Sequence, residues 1–347
     1  MQTLNIQQCA IQIAGAMRAN VPVMIWGPPG IGKSAIVAQT VAAEGGDDAP
    51  LIDIRLSQVE PADLRGIPYA NADHTRTINL VPDFLPRESC AFGALFFDEI
   101  TSAYPAVQAA AFQLILDRKI GQYSVPGGYR MAAAGNRLSD RGIVNPMPAP
   151  LANRFCHYEI APDAPAWITW AKINNIDPRI IAYIQAVPGS LFNLDTSEPD
   201  IRAYASPRSW DFFSRELVTG TPPDLMTTAC AYVGAAAGID FATTVDILQY
   251  IPAITEILAN PLACRVPDDS SNVGALASCF AIANMVAAAV CRDIALLDTV
   301  YPYLERLPAR ECIVVAMQDI QGEHGRDALI GTAAYRKFAL EFAQDIV

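Results

Sequence analysis

Five short apolar runs are spread through the first 160 residues, at 22–26, 51–55, 94–97, 130–134 and 155–160. Each is only four to six residues long, the length of a strand rather than a helix. The run 94–97 is apolar at every position, which suits a strand covered on both faces in a parallel sheet. Between the runs lie segments rich in Gly, Pro and Asp, and stretches with helical spacing. That alternation predicts a parallel α/β layer with helices on its faces. Beyond about residue 163 the short runs give way to helical patterns, several of them Ala-rich. The longest, at 273–291, carries no charged residue for nineteen positions. It is long enough to raise a membrane span. However, much of its apolarity is Ala, Ser278 and Asn284 lie inside it, and Leu276, Phe280, Ala283, Ala287 and Val290 recur on one helical face. The pattern predicts a buried core helix, with no membrane span.

Composition narrows the picture. With 347 residues the chain is long enough for two or three domains, and 52% hydrophobic against 17% charged residues excludes the signature of disorder. The mean hydropathy is +0.22. A formal charge of −12 argues against affinity for a polyanion, which would require a local basic channel. The first eight residues lack a basic segment and an unbroken apolar run, so a cytoplasmic location is expected. Eight cysteines are scattered without a CxxC pair and read as reduced, mostly buried thiols. Three histidines show no metal-binding spacing.

The chemistry begins after the first core strand. Residues Gly27, Pro28, Pro29, Gly30, Ile31, Gly32, Lys33 and Ser34 match GxxxxGK[ST], and a helical run follows from Ser34. Strand, Gly-rich loop and helix are the context in which this motif binds phosphate. The glycines let backbone N–H groups point inward, and the positive end of the helix adds attraction. Lys33 is then expected to reach the β/γ-phosphates of ATP, and Ser34 to ligate Mg²⁺. A second signal is the strand ending in Asp98 and Glu99. In a parallel sheet these acids emerge at the carboxyl edge beside the phosphate loop. Asp98 then belongs to the Mg²⁺ shell, through water, and Glu99 activates the attacking water. The bland alternative is that both acids cap the next helix.

Taken with the segment 56–66, the run 132–137, the run 151–155 and the run 205–210, these motifs make the chain resemble AAA+ ATPases, and within them the MoxR family. The resemblance covers about residues 1–215. It implies a P-loop NTPase (AAA+) three-layer αβα core with a parallel sheet, an α-helical lid and a helical C-terminal extension, here at 1–162, 163–222 and 223–347. Asn136, at the end of a small-residue strand, takes the family's sensor 1 role of bonding the γ-phosphate and the water; as a plain turn residue it would need no such role. Arg154 takes the arginine-finger position, acting on the neighbouring subunit's nucleotide, with Arg141 and Arg118 as competitors. Arg208 takes the sensor 2 position at the start of a lid helix. Surface arginines ending or opening a helix are the alternatives for Arg154 and Arg208. A helix-2 insertion between 55 and 94, and a presensor 1 hairpin in 118–130 turning at Pro126-Gly127-Gly128, are expected from the resemblance to face the channel of a ring, the alternative being a merely structural hairpin.

The resemblance implies a Mg²⁺-dependent ATPase, working as a homo-hexamer, that remodels a protein partner. Relatives commonly act with a von Willebrand A domain protein. This chain has no DxSxS motif of that domain, so such a partner would be a separate polypeptide. Two rival readings are a nucleic-acid motor or loader and a nucleotide-switched scaffold with little turnover. Nothing beyond residue 226 decides what the C-terminal helices do.

Overall fold

In the computed structural model, which describes residues 3–140, 145–195, 202–268 and 272–342, each of the five apolar runs is a strand of one sheet. In chain order the strands are β1 Thr3–Leu4, β2 Val23–Trp26, β3 Leu51–Arg55, β4 Pro68–Ala70, β5 Thr77–Asn79, β6 Gly93–Asp98, β7 Lys119–Ile120, β8 Tyr123–Ser124, β9 Tyr129–Gly135 and β10 Cys156–Ile160. The main sheet has the order β1-β10-β2-β9-β6-β3. All its pairs are parallel. Register sets the level of each strand end: Trp26 lies beside Gly135, and Asp98 beside Arg55.

Alternation along the strands sorts side chains between two faces. Met24, Leu95, Phe97, Met131 and Ala133 share one core with Val107, Ala111 and Leu114 of the helix Pro105–Asp117. Ile25, Phe96, Ala132 and Ala134 point to the opposite face and are fully buried. There the helices Ile6–Arg18 and Lys33–Gly45 contact the strands and each other. The result is a three-layer αβα core.

The chain divides into two compact units, Met1–Ala166 with Asp195–Pro199, and Trp167–Leu194 with Asp200–Val347. The second unit is helical. Tyr183, Trp210, Phe213 and Phe241 form an aromatic cluster with ring centroids 5.3–6.3 Å apart. A larger apolar core joins Ala182 to Phe280, Ile282, Val286, Tyr301, Met317 and Phe338. Residues assigned in sequence to the lid and to the extension thus share one core. The uncharged run is the helix Val273–Arg292, long and apolar enough to cross a membrane by length and composition. Its Phe280, Ala283, Ala287 and Val290 are buried in this core, Leu276 packs on it, and Ser278 returns its hydroxyl to Gly274 O at 2.8 Å.

Two sequence expectations need correction. The hairpin in 118–130 is β7 paired with β8, turning at Gly121-Gln122. Pro126-Gly127-Gly128 follows it, where Gly127 O and Gly128 O accept from Cys90 and Gly93 N–H at 3.1 Å. Gly128 has φ +93°, and a Cβ there would lie 1.8 Å from Cys90 O, so the glycine serves close backbone approach rather than the hairpin turn. Among the cysteines only Cys9, Cys279 and Cys312 are fully buried; the other five are partly exposed, and all eight are free. The expected insertion is a two-stranded antiparallel ribbon, β4 with β5.

Candidate active site

The pairing of β2 ends just past Trp26: Gly27 N–H still reaches Gly135 O at 3.4 Å, but Pro28 and Pro29 have no N–H to offer. The loop re-enters a helix through Gly30 and Gly32, at φ +82° and +98°. Gly32 is the N-cap, in a left-handed conformation costly for other residues, and nothing lies within 4 Å of where its Cβ would be. Lys33 is the first helical residue, and its Nζ donates to Gly27 O at 2.7 Å, Pro28 O at 3.0 Å and Asn136 Oδ1 at 2.9 Å. Ser34 Oγ donates to Asp98 Oδ2 at 3.0 Å.

These contacts follow from the strand order. β9 lies between β2 and β6, so its carboxyl end delivers Asn136 between the phosphate loop and the acidic turn. Asp98 closes β6 and accepts the Glu99 N–H on Oδ1 at 2.8 Å. Glu99 has φ +56°, a left-handed conformation uncommon for a residue with a side chain, and such strain clusters at functional sites. The Glu99 carboxylate accepts a hydrogen bond from Ser57 Oγ.

Lys33 thus bonds Asn136, and Ser34, Asp98 and the Glu99 backbone form a second bonded set, the two meeting where Lys33 and Ser34 adjoin in the chain. Sequence reading assigns Ser57 no role. It lies two residues past the end of β3, whose Arg55 is in register with Asp98, so the sheet brings Ser57 to Glu99. Asp53 likewise carries no motif. Its carboxyl is held above the ordinary range by desolvation first and then by the charge of Asp98, with Arg55 opposing and Glu99 adding.

The arginines behave differently. Arg154 is exposed on the turn after the helix Ala149–Ala152 and is not among the side chains joined above. That turn is tied to the phosphate-loop strand through His157: Trp26 Nε1 donates to Nδ1 at 2.9 Å, and Nε2 lies 2.6 Å from Ala152 O. With Nδ1 accepting, Nε2 carries the proton. Arg118 is half-buried at φ +54° and donates to Asn20 Oδ1, Pro126 O and Tyr129 O at 2.8–3.5 Å, so it braces the β8–β9 connection. Arg141 lies outside the described residues. Arg208 belongs to the helical unit, exposed in the first turn of the helix Pro207–Thr219, behind the Ser206 cap.

The residues present fit a nucleotide triphosphate with Mg²⁺. An ammonium in the first turn of a helix, behind a loop with two left-handed glycines, suits phosphate, and the hydroxyl–carboxylate pair Ser34–Asp98 is a hard oxygen donor set of the kind Mg²⁺ takes. Among the described residues no cluster of three or more His, Cys, Asp or Glu is arranged to hold a metal.

No family model matches the sequence, and no curated protein matches it. Solved structures similar to it include a mutant of RuvB from Thermotoga maritima, at 16% identity over 88% of this chain and 91% of that one, with a TM-score of 0.40. NtrX of Brucella abortus is 14% identical over 93% and 69%, with a TM-score of 0.38. A putative ATPase from Cytophaga hutchinsonii is 13% identical over 99% and 91%, with a TM-score of 0.35. Scores this low leave the assignment to the strand order and the loop geometry. By those, the chain has the three-layer αβα fold of a P-loop NTPase, with a helical C-terminal region.

Proposed function

We propose that this chain is a Mg²⁺-dependent ATPase of the MoxR type that works in a ring, as a homo-hexamer, to remodel or activate a protein partner. The observation that carries the ATPase reading is the joining of Lys33 to Asn136 and of Ser34 to Asp98 at the carboxyl edge of one sheet. In this reading Lys33 and the loop N–H groups hold the β/γ-phosphates. Ser34 and Asp98 hold Mg²⁺, the latter through water, and the metal supplies neutralisation of phosphate charge. Glu99 takes the proton of the attacking water, and Asn136 exchanges its bond with Lys33 for bonds to the γ-phosphate and that water. Arg154, exposed on its turn, suits action on a neighbouring subunit's nucleotide. Arg208 couples hydrolysis to movement of the helical unit.

The remodelling half rests on surface chemistry. On the β4–β5 ribbon, Ile67, Tyr69 and Leu80 stand 52–66% exposed, an apolar face suited to protein contact. The charge of −12 favours such a partner over nucleic acid. A von Willebrand A domain protein on a separate chain is the partner proposed.

The test is ATP turnover by the purified protein with and without Mg²⁺. Turnover abolished by chelation and rising more than linearly with protein concentration fits the ring ATPase. Absence of turnover at any concentration refutes it. Mixing Arg154→Ala with an Asp98→Ala/Glu99→Ala double variant restores part of the activity if Arg154 acts in trans; activity no greater than either alone counts against that arrangement.

A further inference from the structure

Thr101 is an unusual residue for a turn beside a part-buried acid: it is 1% exposed, and both its hydroxyl and its carbonyl are engaged. Its Oγ1 accepts the Asn136 N–H at 3.0 Å and lies 3.3 Å from Asn136 O, to which it donates, so one hydroxyl closes on both polar groups of the Asn136 backbone. Its own carbonyl accepts the Asn145 N–H at 2.6 Å. The residue before it, Ile100, donates its N–H to Ala134 O at 3.0 Å, extending contact with β9 past the end of β6. Glu99 sits two residues upstream, within the same turn, closed by Ser102 N–H to Glu99 O at 2.9 Å. A second observation is independent of these bonds. A Cβ on Gly135 would lie 2.7 Å from Thr101 Cγ2, 2.8 Å from its Oγ1 and 2.8 Å from Met24 Cε. The residue just before Asn136 is thus small where Thr101 must approach.

We propose that Thr101 is a positioning residue, whose hydroxyl fixes the Asn136 amide at a set distance from the Glu99 carboxylate. This rests on the ATPase reading above, in which both groups act on one water. The two functional side chains leave different strands, β6 and β9, and strand pairing alone sets backbone spacing only up to the strand ends. Past those ends the backbone of Asn136 is held on one side by Thr101. On the other, Arg137 is clamped by ion pairs to Asp140 at 2.8 Å and Glu159 at 2.6 Å. Removing the hydroxyl leaves the part-buried Asn136 N–H unpaired and frees the turn to shift away from Glu99. The phosphate grip, built on Lys33 and Ser34, is left in place.

The test compares Thr101→Val and Thr101→Ser with the wild type and Glu99→Gln, measuring turnover and the affinity of an ATP analogue with a non-hydrolysable β–γ bridge. Loss of the hydroxyl is expected to lower kcat by about 10–100-fold, as misplacement by a fraction of an ångström to one ångström does, with analogue affinity changed by less than about threefold. Thr101→Ser is expected to retain kcat within about threefold, because it keeps the hydrogen bonds. The proposal is overturned if Thr101→Val turns over like the wild type, if the Ser and Val variants lose activity alike, or if analogue affinity falls in step with kcat. Where Thr101→Val does not fold, Thr101→Ala against Thr101→Ser isolates the same hydroxyl, and equal turnover overturns the proposal. A wild-type protein without turnover removes both this inference and the ATPase reading. An active wild type and an inactive Glu99→Gln beside a normal Thr101→Val removes only the role of Thr101.

Discussion

At the carboxyl ends of β2, β6 and β9, an ammonium bonds an amide and a hydroxyl bonds a carboxylate, across sequence separations of 103 and 64 residues. In the helical unit the large buried side chains are aromatic, and those of the Tyr183–Trp210 cluster bond within their own surroundings. Trp210 Nε1 donates to Ser190 O at 2.9 Å, and Tyr183 Oη to Ser190 Oγ at 3.1 Å. The first arrangement keeps charged groups half-buried in a converging set, which a stable fold does not need and which an apolar core would serve more cheaply. The second is apolar and aromatic packing, with Trp167 Nε1 and Tyr301 Oη buried without a hydrogen-bond partner among the described residues. The difference teaches where chemistry is to be sought: at long-range side-chain bonds gathered on one sheet edge, rather than in the larger helical core.

Substitutions in the two regions should therefore fail in different ways. The largest effect is expected from Lys33→Ala, which removes the ammonium and its three bonds: ATP affinity should fall by about 100-fold or more, since charge-assisted contacts are the strong ones. Thermal stability should change little. Unchanged affinity in a nucleotide-binding titration would break the assignment of the loop. In the helical unit, Ile282 is fully buried, and Ile282→Ala should cost about 2–5 kcal/mol by chemical denaturation. Turnover at low temperature should remain within about twofold, because Ile282 packs within the helical core and bonds none of the sheet-edge groups. A larger loss of turnover than of stability would show that the helical core carries chemistry after all. Smaller still is Ser57→Ala: losing one hydrogen bond to a carboxylate should lower kcat by about tenfold, with KM nearly unchanged. A wild-type kcat would mean that Ser57 merely rests against Glu99.

The legible part of this site was the part written locally. Gly27 to Ser34 specify their own loop, and Asp98-Glu99 and Asn136 stand where apolar runs end, so strand polarity alone put them on one edge. Ser57 and Thr101 were illegible as functional residues because their partners depend on sheet order: which strand lies beside which, and in what register, is not written in either segment. The hairpin turn was misplaced for a related reason. Pro126-Gly127-Gly128 has strong turn chemistry, but its small residues answer to the Cys90 backbone packed on them. Arg118 and Arg154 looked equivalent as charges, and only the fold shows one bonded to backbone carbonyls and the other exposed. In the helical unit, periodicity found the buried face of Val273–Arg292, whereas its packing partners, such as Ala182 some hundred residues away, had no signature.

The most direct test of the account is the fate of ATP on the Glu99→Gln protein, which keeps the phosphate grip and the side-chain shape but loses the base. With labelled ATP and Mg²⁺, the variant is expected to bind nucleotide as tightly as the wild type and to retain it as ATP, with turnover reduced by about 100-fold or more, the scale of a lost general base. Release of ADP at the wild-type rate would contradict the central claim, and so would failure to bind ATP in a folded variant.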